Sequence, residues 1–111
     1  MHLAEVPALR VTEEVDGSTT VLRLAGELDL ATADVLRERV GALSATRSGV
    51  RRLTLDLGGL EFLDVAGLGA LLEAGRRMTE RGASVSLRRP RPMVLRMLSL
   101  LSLEGALQVE D

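Results

Sequence analysis

One stretch, Leu53 to Met78 (LTLDLGGLEFLDVAGLGALLEAGRRM), constrains the fold more than any other part of the chain. Leu53, Leu55 and Leu57 alternate with Thr54 and Asp56, the period of a half-buried strand. Gly58 and Gly59 break that pattern, and Phe62-Leu63 turn back towards a core. After Asp64 the period changes to that of a helix: Leu68, Leu71, Leu72 and Met78 share one stripe. Glu73/Arg77 and Arg76/Glu80 are spaced as i,i+4 ion pairs outside it. A strand therefore delivers the chain to a loop, and the loop aims a helix N-terminus at solvent, with Asp64 as its N-cap. Free N–H groups and the helix dipole favour anions at such an end, so function can be built there.

The flanking segments repeat the theme. Leu9–Val15 alternates as a first strand, Asp16-Gly17 is a turn signal, and Thr19–Ala25 returns as a second strand, giving a hairpin that Gly26 ends. The segment GELD, Gly26–Asp29, leads to Thr32 as a second N-cap with Asp34 in the first turn. The helix that follows carries Ala33, Leu36, Val40 and Leu43 on one face, and Ser48-Gly49 separates it from the Leu53 strand. Past the central helix, Arg81-Gly82 forms a C-terminal stop. Ala83–Leu87 is a short strand, and Arg88-Arg89-Pro90-Arg91-Pro92 is a stiff basic connection with Pro92 in the first turn of a third helix. That helix, Met93 to about Leu101, is apolar nearly all round. Ala106–Val109 is a last short strand. Strands alternating with helices imply an α/β domain. Its sheet is mostly parallel, with four to five strands and an N-terminal hairpin, and helices cover one face. Residues 1–111 read as this single domain.

Composition removes whole classes of function. The chain has 111 residues, a net charge of −2 and no cysteine, so disulfides, thiolate chemistry and zinc–thiolate sites are excluded. All 14 basic residues are arginine, so no lysine exists for a phosphate-binding P-loop. Gly58, Gly59, Gly67 and Gly69 do not fit the dinucleotide pattern. A slightly acidic chain whose one aromatic residue is Phe62 offers neither the basic footprint nor the stacking platform of a nucleic-acid binder. His2 is the sole histidine, in a terminal segment, so nucleophile–base dyads of the usual kinds cannot be assembled. Glu27, Asp29 and Asp64 gather at one end of the sheet in a weakly metal-like way, but capping and surface roles explain them better. The chain is read as not an enzyme, with no cofactor and no metal. There is no signal-peptide pattern and nothing near the roughly 18 consecutive apolar residues of a membrane span. The expectation is a cytoplasmic protein that does not insert in a membrane, although a membrane complex can recruit such a chain.

Three pieces together resemble a known family. LAGELDLATADVLRERV (Leu24–Val40), the strand LTLDL and above all LEFLDVAGLGALL (Leu60–Leu72) resemble the STAS domain of bacterial anti-sigma factor antagonists. The likeness runs from about Val11 to Val109. The combination of GELD-x-x-T with F-L-D-x-x-G-L-G is fairly specific, while either half alone is weak. The resemblance implies a protein that regulates transcription by docking on a GHKL-type anti-sigma factor kinase. It also implies a switch: the kinase phosphorylates a serine just after the motif aspartate. Here Val65 matches that serine and Ala66 follows, so the phosphorylation site is lost. The partner surface implied is Glu27, Asp29, Asp64, Val65, Ala66, Gly67 and Gly69, and replacing Asp29 by Arg is expected to weaken binding without harming the fold. A tight loop–helix junction would explain the glycines with no partner at all. The alternative function within the family is a small cytoplasmic subunit of a lipid-transporting ABC system. Family members commonly carry one more helix, for which this sequence has no room before Asp111. Some of Leu95, Leu98 and Leu101 on helix 93–101 should therefore lie exposed, or be covered by a partner or a second copy in a homodimer.

Overall fold

Asp16 and Gly17 reverse the chain, with Gly17 at φ 62°, and zip Leu9–Asp16 (β1) against Thr19–Leu28 (β2) as an antiparallel hairpin. The computed structural model describes residues 8–45 and 49–110; His2 and Ser48 lie outside them. Ala33–Ala45 (α1), Arg52–Leu63 (β3), Val65–Glu80 (α2), Ser84–Arg88 (β4), Pro92–Leu100 (α3) and Gln108–Val109 (β5) follow. The sheet has five strands in the order β1-β2-β3-β4-β5, and every pairing after the hairpin is parallel. This is the mixed α/β arrangement expected from the alternation of strands and helices.

Both long strands outrun their sequence boundaries. β2 continues past Gly26 to Leu28, because Gly26 sits in an irregularity of the β2–β3 register instead of ending the strand. Its φ of 104°, and a carbonyl of Ala8 only 2.2 Å from where a Cβ would stand, leave glycine as the residue that fits. β3 likewise runs through Gly58-Gly59 as a 12-residue strand. At Gly58 the missing side chain makes room for the guanidinium of Arg89, whose Cζ would lie 2.8 Å from a Cβ.

Leu22, Leu24, Leu53, Leu55 and Leu57 join Leu36 and Val40 of α1, Leu68, Leu71 and Met78 of α2 and Val94 and Leu98 of α3 in one core. The α1 stripe is buried as its spacing required. On α2 the inner face is narrower than the sequence suggested: Leu72 is only partly buried, while Ala70, Ala74 and Gly75 are fully buried. Gly75 sits against Leu107, 2.8 Å from where a Cβ would stand, and α1 packs beside α2. That neighbour also redirects the expected Glu73/Arg77 pair, since Glu73 meets Arg37 of α1 at 3.4 Å and Arg77 donates to the Ser44 hydroxyl at 3.4 Å. Arg76 and Glu80 do pair, at 3.0 Å. Phe62 departs from expectation: it points away from the core and is 47% exposed, because it stands opposite in parity to buried Leu63. α3 is less buried than α2. Leu95, Leu100 and Leu101 are exposed, whereas Leu98 is buried.

The opposite face of the sheet is polar yet not open throughout. Thr54 and Asp56 of β3 are nearly inaccessible, at 1% and 2% exposure, because charged side chains from neighbouring segments roof them. Glu110 accepts hydrogen bonds from Ser86 (2.9 Å), Arg88 (3.1 Å) and Thr54 (3.1 Å), which hold its carboxyl below the ordinary range. Asp56 takes a two-point contact from Arg89, at 3.1 and 2.7 Å, and the Gly58 N–H at 3.0 Å. Burial pushes the Asp56 carboxyl up, but the Arg89 and Gly58 hydrogen bonds and the charges of Arg89 and Arg23 outweigh it and hold it low. At the free edge of the hairpin, Arg39 of α1 donates to the Val11 carbonyl at 2.9 Å and lies 4.0 Å from Glu13.

Candidate partner-binding site

Parallel strands end on the same side of a sheet, so β2 and β3 deliver their loops side by side, with Leu28 opposite Leu63. Asp64 then leaves the strand in extended conformation and caps α2: its Oδ1 accepts the Gly67 N–H at 2.7 Å. Its second oxygen, Oδ2, accepts the Leu30 N–H of the neighbouring loop at 3.2 Å. One carboxylate thus fixes the start of α2 and staples the two loops together. Gly67 makes the junction tight: a Cβ there would stand 2.1 Å from the Leu28 carbonyl oxygen. Such an approach admits glycine alone.

The β2–α1 loop is built differently. Asp29 closes the turn that leads into α1: its Oδ1 accepts the N–H groups of Ala31 at 3.0 Å and Thr32 at 3.1 Å. The Thr32 hydroxyl turns back from the helix. It accepts the Asp29 N–H at 3.0 Å and donates to the Glu27 carbonyl at 2.8 Å, where sequence reading had it capping α1. Asp29 is half-buried in this network, so replacing it by Arg would remove these bonds along with any surface charge. These bonds give Asp29 a structural share in the loop, so the substitution would act on the loop as well as on the surface.

The seven residues singled out in the sequence therefore separate into two groups. Asp29, Asp64 and Gly67 shape the junction from within, while Glu27, Val65 and Gly69 face outward and Ala66 is half-buried. Val65, the first residue of α2, is 66% exposed. Two further apolar residues at this end of the sheet are exposed: Leu30, 79% exposed, whose N–H is held by Asp64, and Phe62, which lies opposite Glu27 in the β2–β3 register. A signal for Leu30 existed, as an aliphatic residue inside a polar cap sequence has no core to enter. Among the described residues no group of three or more histidine, cysteine or carboxylate side chains is placed to hold a metal ion, so Glu27, Asp29 and Asp64 do not form one. No described helix is long and apolar enough to cross a membrane.

Comparison with known proteins fits this architecture. The family model described as "Mlab, STAS domain" matches residues 11–109. The anti-sigma F factor antagonist of Paenibacillus polymyxa is 27% identical over 103 residues, covering 93% of this chain and 87% of that protein. An anti-sigma factor antagonist from Mycobacterium paratuberculosis superposes with a TM-score of 0.78 at 23% identity, over 97% of this chain and 91% of that one. The Bacillus cell fate determinant SpoIIAA in its phosphorylated form gives a TM-score of 0.70 at 22% identity, over 94% and 92%. The chain belongs to the STAS-domain family. Its named relatives are anti-sigma factor antagonists, and it shares their fold.

Proposed function

We propose that the protein is an anti-sigma factor antagonist that docks on a kinase-type anti-sigma factor through the β2–α1 and β3–α2 junction, without a phosphorylation switch. The observation that carries this reading is Val65. It stands exposed at the first position of α2, directly after the cap Asp64, where the resemblance places the phosphorylated serine. A phosphate there would add about −1.5 to −2 charges next to a surface that a partner must desolvate. With Val65 and Leu30 both exposed at the Asp64 cap, the same surface is apolar instead, and association would be steady. Ala66 and Gly69 complete its outer rim; Asp29, Asp64 and Gly67 hold its shape. The site of action is the cytoplasm.

The test is a binding assay with the cognate anti-sigma factor kinase, with and without ATP. Binding should be the same in both, with Val65 and Ala66 unmodified, while Val65→Asp should weaken it. Equal affinity for Val65→Asp, or control of binding by phosphate on another hydroxyl such as Thr32, would sink the reading. Capture of an ABC ATPase instead, from the native cell, would assign the chain to the transport branch of the family. A homodimer through α3, where Leu95, Leu100 and Leu101 are exposed, belongs to the same proposal, and sedimentation velocity over a concentration series reads it. A single monomer species throughout that series counts against the dimer alone.

A further inference from the structure

The polar face of the sheet carries a second constellation that shares no residue with the junction at Asp64. Arg10 and Thr12 of β1, Arg23 of β2, Asp56 and Gly59 of β3 and Arg89 after β4 line a cleft of about 320 Å³. Its floor is the buried Asp56 carboxylate. Arg89 grips both oxygens of that carboxylate, and Arg23 reaches one of them at 3.7 Å while also pairing with Glu14. Arg10 has no carboxylate partner among the described residues. Three guanidinium groups therefore border the cleft, two of them engaged by Asp56 and Glu14 and the third, Arg10, without an ion pair among the described residues.

Two features show that the arginines are held in place. Arg89 has φ 51°, a left-handed conformation uncommon outside glycine, in which its guanidinium lies over the bare backbone of Gly58. Backbone outliers of this kind persist where the surroundings over-determine them, and they cluster at ligand sites. Asp56, for its part, orients the guanidinium that it binds, yet the Arg89 side chain remains 64% exposed, with donors left over. A buried carboxylate that orients exposed arginine forks is arranged to receive an oxyanion, because the fork matches phosphate oxygens at two points. Glu27 and Glu61 line the adjoining cleft, which Arg10 also borders, so an anion meets Arg10 from the side shared with Arg23 and Arg89. No aromatic residue lines the cleft, so a base or ring would find no stacking surface.

We propose that this cleft binds a small ligand through a phosphate or diphosphate group, held by the guanidinium donors of Arg10, Arg23 and Arg89 and the Thr12 hydroxyl. The site is independent of the docking junction, and its test needs no protein partner. Inorganic phosphate and pyrophosphate are titrated separately into the full chain while the arginine Nε–H resonances are followed by NMR, with sodium chloride at matched ionic strength as control. The expected result is a saturable shift of the Arg10, Arg23 and Arg89 signals with one or both probes, tighter for pyrophosphate. Arg10→Gln leaves the Asp56–Arg89 grip intact and should weaken binding by roughly tenfold, the loss of one charge-assisted hydrogen bond. Arg23→Gln provides a second variant, because Arg89→Ala would strand a buried carboxylate and confound folding with binding. A shift that chloride reproduces, that fails to saturate, or that Arg10→Gln and Arg23→Gln leave unchanged would overturn the site.

Discussion

The two junctions at the end of the sheet solve one problem in two ways. In both, a parallel strand ends, an aspartate accepts backbone N–H groups, and a helix begins. The β2–α1 junction is self-contained: Asp29 and Thr32 exchange hydrogen bonds within one short loop. The β3–α2 junction is not, because Asp64 divides its two oxygens between its own helix and the neighbouring loop. Breaking the Asp29–Thr32 bonds leaves the Asp64 cap on Gly67 in place. The reverse does not hold, since releasing Asp64 frees Leu30 as well. The exposed end of α2 is thus the more constrained of the two, and it is the end at which a partner would read a fixed shape.

The largest expected effect comes from the close approach that only the second junction contains. Gly67→Ala sets a methyl against the Leu28 carbonyl and should destabilise by about 3 kcal/mol or more, read as a drop in the urea midpoint. A loss below about 0.5 kcal/mol would mean that the contact relaxes easily and that the two junctions are alike in tightness. Asp64→Ala comes next, at about 1–2 kcal/mol from the lost cap, with faster amide exchange at both Gly67 and Leu30. Thr32→Val, in the other junction, should cost about 1 kcal/mol and leave exchange at Gly67 unchanged. If Thr32→Val also loosened Gly67, the loops would be coupled in both directions.

Acid titration brings in the polar face. Asp56 and Glu110 both have carboxyls held below their unfolded values, near about 3.9 and 4.3. Their stabilisation is complete above those unfolded values and is lost as pH falls from there through the lowered folded values. Urea midpoints measured from about pH 6 to about pH 3 should fall most steeply at the acid end, and Glu110→Gln should flatten the slope. The smallest effect belongs to Val65→Asp. Its new charge at the N-terminus of α2 should add a few tenths of a kcal/mol to stability while weakening partner binding.

Much of the architecture was legible because spacing alone encodes it. The element order, the hairpin, the Asp64 cap, the α1 stripe and Pro92 at the start of α3 all rest on local periodicity or capping chemistry. What was not legible depends on neighbours distant in sequence. Gly26, Gly58 and Gly59 look like strand breakers until Ala8, Arg89 and Ala25 are seen packed against them. Thr32 looks like a cap until the Glu27 carbonyl claims its hydroxyl. Of the candidate site, the aspartates and glycines carried a motif, whereas Leu30 and Phe62 required knowing which way each side chain leaves its strand or loop. Asp56 was recognisable only as an outward residue of a strand. Its burial comes from Arg89, whose position no periodicity announces.

The hydrogen bond from Arg39 to Val11 has a bearing on how the molecule behaves in a crowd. β1 is eight residues long and forms one border of the sheet, the kind of border along which a second polypeptide can zip into a shared sheet and seed precipitation. Arg39 occupies one of the carbonyls such a newcomer would need, and it places a bulky cation, paired with Glu13, across the approach. Its value is therefore not measured by melting temperature. A chain lacking this arginine could fold almost as well and yet have a shorter soluble lifetime at high concentration, so one surface side chain influences how much of the protein a cell can keep dispersed.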